Sequence, residues 1–211
     1  IILVNCSGSP IGLEPETQKC EAILQAWYPG QQGGKAVAEV LFGDYNPAGK
    51  LPVTFYRNVS QLPDFEDYNM TGRTYRYMQD VPLFPFGYGL SYTTFGYGKT
   101  VLDKNELTAG QSLKLTVPVT NTGKRNGEEV VQVYLRKQGD AEGPIKTLRA
   151  FKRVSIPAGK TVNVEFDLKD KELEWWDDQS NTVRVCPGNY DIMVGGSSKE
   201  EDLQRTTIAI K

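Results

Sequence analysis

The chain contains no histidine, whereas Asp and Glu together number 26, so any chemistry it performs must use carboxylates, tyrosine, lysine or cysteine. Without imidazole there is no Ser-His-Asp or Cys-His nucleophile, no His-ligated zinc, and no side chain that titrates readily near neutral pH. Neighbouring carboxyl groups occur at Glu14 and Glu16, at Asp64, Glu66 and Asp67, at Glu128 and Glu129, at Asp177 and Asp178, and at Glu200, Glu201 and Asp202. Each group could in principle supply an acid and a nucleophile, but adjacent carboxylates in polar loops are usually solvated surface. Glu14 and Glu16 stand apart, because they follow an apolar run that reads as a parallel strand, and ligand sites of α/β sheets gather beyond such strand ends.

Aromatic and guanidinium groups form the second set of candidates. Trp27 and Tyr28, with Tyr75, Tyr77, Tyr88 and Tyr92, could stack on the apolar face of a sugar ring, while their commoner use is packing between domains. Arg73 and Arg76 could bind a ligand, hydrogen-bond loop carbonyls or pair with carboxylates. Trp27, Tyr28, Arg73 and Tyr75 are therefore the candidates for substrate binding, and Trp175 and Trp176 read as core or loop packing. Gly30-Gln31-Gln32-Gly33-Gly34 precedes a helical pattern but lacks the Gly-Lys-Ser/Thr of a P-loop and the spacing of a dinucleotide fingerprint, so it implies no nucleotide. Cys6, Cys20 and Cys186 are odd in number and far apart, giving neither a zinc pair nor a disulfide framework, and read as buried thiols. No metal or cofactor is implied. Asn5, Asn58 and Asn69 each open a glycosylation-type tripeptide, a pattern that chance often satisfies.

The elements that must position these residues divide the chain. Its 211 residues, with 39% hydrophobic and 24% charged side chains, suffice for one large domain or two small ones. A formal charge of -2 and dispersed Lys and Arg residues argue against nucleic acid. The opening Ile1-Ile2-Leu3-Val4 lacks an initiator Met, a basic segment and a long apolar stretch, so it reads as the start of a cut piece rather than a signal peptide or membrane span. That run predicts a buried parallel strand ending at the Asn5 to Pro10 turn. Apolar spacing from Cys20 to Phe42 predicts two short helices around a Gly-rich turn, stopped by Gly43, before a short strand over Leu51 to Phe55. Three such elements cannot make a stable parallel sheet alone, and the remaining strands are expected upstream. Arg57 to Tyr97, rich in Pro, Gly and Tyr, reads as an ordered connection. Thereafter a two-residue period runs through Leu113 to Val119, Val162 to Leu168 and Tyr190 to Val194, and with Val130 to Leu135, Leu148 to Val154 and Thr206 to Ile210 it predicts an antiparallel sandwich.

Several strings resemble family 3 glycoside hydrolases, the β-glucosidases and β-xylosidases that end in a fibronectin type III-like domain. They are Ala22-Ile23-Leu24-Gln25-Ala26-Trp27-Tyr28-Pro29-Gly30, Asn46-Pro47-Ala48-Gly49-Lys50-Leu51-Pro52, Gly72-Arg73-Thr74-Tyr75-Arg76-Tyr77 and Pro85-Phe86-Gly87-Tyr88-Gly89-Leu90-Ser91. Within the sandwich, Asn121-Thr122-Gly123, Gly127-Glu128-Glu129-Val130 and Leu148-Arg149-Ala150-Phe151 fit the same pattern.

The resemblance implies an α+β chain: the end of an α/β sandwich domain over residues 1–65, a connecting segment over 66–95, and a fibronectin type III-like sandwich over 96–211. It implies retaining hydrolysis of a terminal β-linked sugar by a complete enzyme, with oligosaccharide substrate bound by missing domains, an N-terminal barrel and an upstream α/β part. The family's nucleophilic Asp and acid Glu lie outside the segments matched here, so no catalytic residue is assigned and the fragment alone is expected to be inactive. The Gly72 to Tyr77 string favours the xylosidase branch. Extracytoplasmic location follows from the resemblance alone. The rival reading is a free-standing carbohydrate-binding or adhesion module on a fibronectin-like scaffold.

Overall fold

The computed structural model describes residues Ile1–Lys211. Strand β1 (Ile2–Asn5) is followed by helix α1 (Glu14–Lys19) and strand β2 (Ala22–Gln25), and the two strands pair in parallel with Ile2 opposite Ala22 and Asn5 opposite Gln25. Helix α2 (Gly33–Phe42) ends at Gly43, whose φ of 81° gives the left-handed cap that a glycine adopts without steric cost. The expected helix over Cys20 to Ala26 is thus a strand. A short apolar run cannot distinguish the two states, and here the backbone of Ala22–Gln25 finds its partners on β1. Helix α1 escaped notice because it has no apolar stripe; its remaining signals are a Pro at its first turn with Glu14 and Glu16 there and Lys19 in its last turn.

The stretch from Leu51 to Phe55 is not a strand either. Pro52 offers no N–H, and the only bridge joins Phe55 to Phe84. Leu51 instead exchanges backbone bonds with the Tyr88 carbonyl and the Gly87 N–H, both at 2.8 Å. The connecting region contains one further turn of helix, α3 (Thr74–Tyr77). It begins at Thr74 with φ 56°, a left-handed value that a β-branched residue adopts only under constraint. The Thr74 N–H donates to the Tyr56 hydroxyl at 3.0 Å, and its carbonyl accepts from Met78 N at 2.9 Å.

Two sheets follow. Strands β3 (Phe95–Tyr97), β4 (Val101–Leu102), β5 (Glu106–Leu107), β6 (Leu113–Asn121), β7 (Gly127–Lys137), β8 (Thr147–Ile156) and β9 (Thr161–Leu168) precede a single helical turn, α4 (Asp170–Leu173). Then come the small hairpin of β10 (Trp175–Asp177) and β11 (Thr182–Arg184), then β12 (Gly188–Gly195) and β13 (Gln204–Ile210). One sheet runs β5-β13-β12-β7-β8, and in the other β6 pairs with β9, β3 and β4. Only β5 joins a sandwich neighbour in parallel. The alternating residues Leu113, Leu115, Val117 and Val119 are fully buried and face a core that includes Val131, Val133, Ile192 and Val194.

Strand β7 departs from simple alternation. Val131, Val133 and Leu135 enter the core, while Gln132 and Tyr134 are buried on the opposite face, where the connecting region packs over the sheet. A bulge between Val133 and Tyr134 shifts the register against β8 at this place. The α/β layers and the antiparallel sandwich together make the chain α+β.

Candidate functional site

Beyond the parallel strands, Asn5 donates to Gln25 Oε1 at 2.6 Å and to Ser7 Oγ at 3.0 Å, which ties the two strand ends together. Glu14 Oε1 accepts from Arg57 at 3.1 Å, whereas Glu16 Oε2 is buried without a hydrogen-bond partner. Trp27 follows β2 with φ 53° and is half-buried, its ring meeting Phe55 edge-on at 6.2 Å. Tyr28 is 81% exposed and lies over Gly8, where an added Cβ would come within 2.4 Å of the Tyr28 hydroxyl.

Arg73 and Tyr75 belong to a different region. The Arg73 guanidinium donates to the Asn69 carbonyl at 2.9 Å and to the Asp67 carbonyl, closing the preceding loop. Tyr75 stacks on Phe86 at 4.3 Å, meets Tyr134 edge-on at 5.9 Å, and its hydroxyl accepts from Leu148 N at 3.1 Å. Trp27 and Tyr28 thus sit by the parallel strands, and Arg73 and Tyr75 sit where the connection meets the sandwich.

Most of the remaining carboxylates have structural partners. Asp64 and Asp67 accept from the backbone N–H groups of Glu66 and Asn69, both at 2.9 Å, and the Asn69 bonds hold Asp67 below the usual carboxylate range. Ser180 and Arg184 hold Asp177 down at about 2. Burial opposes ionisation of Glu200, but bonds and charges from Lys146 and Arg205 outweigh it and lower its pKa. A general acid needs the opposite shift. Among the grouped carboxylates only Glu129 is raised: burial dominates, against the opposing effects of Lys50 and Tyr97.

Glu129 also corrects the reading of Glu128 and Glu129 as a solvated pair. Successive strand residues face opposite ways, so Glu128 pairs with Arg153 near the surface while Glu129, 4% exposed, turns inward. Its carboxylate lies 3.2 Å from Lys50 Nζ and accepts from the Tyr97 hydroxyl at 3.0 Å. Around it runs a seam joining the α/β part to the sandwich. Asn46 donates to the Asn126 carbonyl at 2.9 Å, Tyr92 Oη to the Val40 carbonyl at 2.6 Å, and Gln132 Nε2 to the carbonyls of Gly87 and Gly196 at 3.1 and 2.6 Å. Sequence reading missed Lys50 and Gln132 as seam residues; the only signal was a polar side chain interrupting an apolar strand at Gln132. The cysteines also differ from expectation, with Cys186 buried, Cys20 half-buried and Cys6 exposed at the end of β1.

Comparison with known proteins gives matches along the chain. Residues 1–92 match the family model of the glycosyl hydrolase family 3 C-terminal domain, and residues 129–198 match that of the fibronectin type III-like domain. Over 210 residues the chain is 56% identical to a xylan 1,4-beta-xylosidase of Xylanibacter ruminicola, covering 100% of this chain and 24% of that protein. It is 38% identical over 211 residues to a periplasmic beta-glucosidase of Salmonella typhimurium, covering 94% of this chain and 28% of that one. A solved β-glucosidase from Erythrobacter marinus superimposes with a TM-score of 0.86 at 41% identity, over 100% of this chain and 28% of that chain. The chain therefore spans between 24% and 28% of the length of these relatives.

Proposed function

Because the chain belongs to glycoside hydrolase family 3, carrying that family's C-terminal domain and a fibronectin type III-like domain, we propose that it is the C-terminal portion of a retaining, exo-acting β-glycosidase. Its substrates are the terminal β-linked sugars of plant-type oligosaccharides. The observation that carries this reading is the 56% identity to a xylan 1,4-beta-xylosidase across the whole chain. That identity, with the Gly72 to Tyr77 string, favours β-xylosidase over β-glucosidase. Retaining hydrolysis uses two carboxyl groups about 5–5.5 Å apart, one attacking the anomeric carbon and one protonating the leaving oxygen. In this reading both come from domains outside the chain, and residues 1–65 present one wall to them. Exposed Ile2 and Phe42, 53% and 84% accessible, support a further layer packing on the parallel strands and α2. Tyr28, exposed at the end of β2, is the candidate of the four best placed to meet a sugar. The periplasmic relative supports extracytoplasmic location, and no helix here is long and apolar enough to cross a membrane.

The test compares the full-length protein with the 211-residue chain on nitrophenyl β-xyloside and β-glucoside. The full-length protein is expected to cleave both, with the higher kcat/KM on the xyloside, and the folded chain neither. Turnover by the folded chain would return attention to Glu14 and Glu16, and absence of turnover by the full-length protein would favour the binding-module reading.

A further inference from the structure

Residues 57–73 form a long loop whose two ends are held at one place. The Thr74 N–H donates to the Tyr56 hydroxyl at 3.0 Å, and Arg57 Nε and Gln61 Nε2 donate to the Val81 carbonyl at 3.2 and 3.3 Å. Apart from a 3-10 turn over Val59–Gln61 the loop has no regular structure, and the Arg73 guanidinium gathers the carbonyls of Asp64, Asp67 and Asn69 at its centre. Phe65 and Tyr68 are left 92% and 88% exposed. Irregular loops of this length are usually functional or disordered, and these bonds order this one.

The base of the loop stands beyond the carboxyl end of the parallel strands. Arg57 donates to Glu14 Oε1 at 3.1 Å, and a Cβ on Gly12 would lie 3.5 Å from the Arg57 carbonyl oxygen and 4.0 Å from Asn58 Cα. Gly12 and Glu14 belong to the connection that leaves β1 at Asn5 and opens α1. Ligands of parallel α/β sheets bind beyond that end. The far side of the loop is fixed by the sandwich, because Leu148 N donates to the Tyr75 hydroxyl at 3.1 Å and Ile145 N to the Arg76 carbonyl at 2.6 Å. Along the loop the aromatics alternate with acceptors: Phe65 stands between Asp64 and Glu66, and Tyr68 between Asp67 and Asn69. A protein layer closed over this surface would bury carboxylates without a counter-charge, since Arg73 is turned to backbone carbonyls. A neutral sugar suits it better, because the C–H face of a sugar ring packs on an aromatic ring while hydroxyls at its rim donate to carboxylate or remain in water.

We propose that the loop over residues 57–73 is the outer wall of the sugar cleft and receives the leaving-group sugar of a neutral oligosaccharide, with Phe65 and Tyr68 as its stacking surface. This rests on the glycosidase reading above, in which the reacting carboxyl groups lie outside the chain, and it adds the part of the substrate beyond the scissile bond. Phe65 and Tyr68 determine specificity in this arrangement: they favour substrates that carry a second sugar over those that release a small group.

The experiment measures kcat/KM of the full-length protein and its Phe65→Ala and Tyr68→Ala variants on xylobiose and on β-xylosyl fluoride, with cellobiose and β-glucosyl fluoride in parallel. Within each pair the terminal sugar is the same and only the leaving group differs, a whole sugar against a single atom. The ratio of kcat/KM on the disaccharide to that on the fluoride should fall about tenfold in each variant, the scale of one aromatic stacking contact. A ratio equal to wild type in both variants would overturn the proposal. If the two rates fall together and the melting temperature drops with them, the loop packs against the missing domains instead, and the proposal is again overturned. Failure of the wild-type protein to cleave any of the four substrates would sink the glycosidase reading itself, a result that the variants alone cannot produce.

Discussion

Glu129 shows how one buried residue reports on the joint between two layers. Its carboxylate and Lys50 Nζ are both largely removed from water, and Tyr97 and the Gly89 carbonyl complete the cluster. Replacement by Gln keeps the shape and removes the ionisable proton, so the difference between the two proteins isolates the effect of the charge. The pH dependence has a definite sign. Because burial raises the folded pKa of Glu129, the folded chain holds this proton more tightly than the unfolded one. The group's contribution is therefore fully present below the unfolded carboxyl value of about 4.3 and is lost as pH rises through the folded value. Thermal melts should show wild type gaining stability relative to Glu129→Gln as pH is lowered from about 8 to about 5. A relative loss would mean that Lys50 holds the carboxyl below its unfolded value instead. Adjacency concealed this residue: beside Glu128 it looked like one more surface acid, and only the direction of the strand separates them.

At the scale of elements, the Pro85 to Ser91 string acts as a clasp. Its Gly87 has φ 78°, and a Cβ there would meet Gln132 Oε1 at 2.0 Å; at Gly89 it would meet the Gly49 carbonyl oxygen at 2.1 Å. The first atom belongs to a side chain already bonded to Tyr134 and to two carbonyls, so it has little freedom to move aside. Gly87→Ala therefore combines left-handed strain with a clash at a buried network, and is expected to lower stability by about 2 kcal/mol or more. Chemical denaturation would check it; an unchanged midpoint would show that the seam adapts. The two-residue period of β6, β9 and β12 was legible because one face of each meets the core and the repeat persists over several residues. The helix expected over Cys20 to Ala26 failed for the converse reason, since four residues flanked by turns carry too little pattern to set against the pairing that β1 supplies. The seam residues were invisible as a group, because Lys50, Tyr97 and Glu129 come from three separate segments and nothing local links them.

For the whole molecule, the question is where the chain yields first. The change of period places a division near residues 85 to 97, yet that stretch is held from both sides: Leu51 bonds Gly87 and Tyr88, Ser198 N donates to the Phe86 carbonyl at 2.9 Å, and Asn46 Oδ1 accepts from Ser91 and Tyr92. Proteases need a segment that can leave its neighbours and extend, so backbone bonding matters more than a change in composition. The weak place lies earlier. Val59, Phe65 and Tyr68 are 80%, 92% and 88% exposed, and their surroundings are turns closed by local side-chain bonds from Asn58, Asp64 and Asp67. Chymotrypsin, which cuts after aromatic residues, should therefore cleave the purified 211-residue chain first after Phe65 or Tyr68, and mass spectrometry should find a resistant C-terminal piece starting at Glu66 or Asn69. That piece keeps the clasp and the sandwich together, with residues 71–94 protected by the sheet on which Tyr75 and Phe86 pack. A first cut between Phe86 and Phe95 would show that the seam opens before the loop. First cuts spread through Leu113 to Leu168 would mean that the sandwich does not hold as a unit.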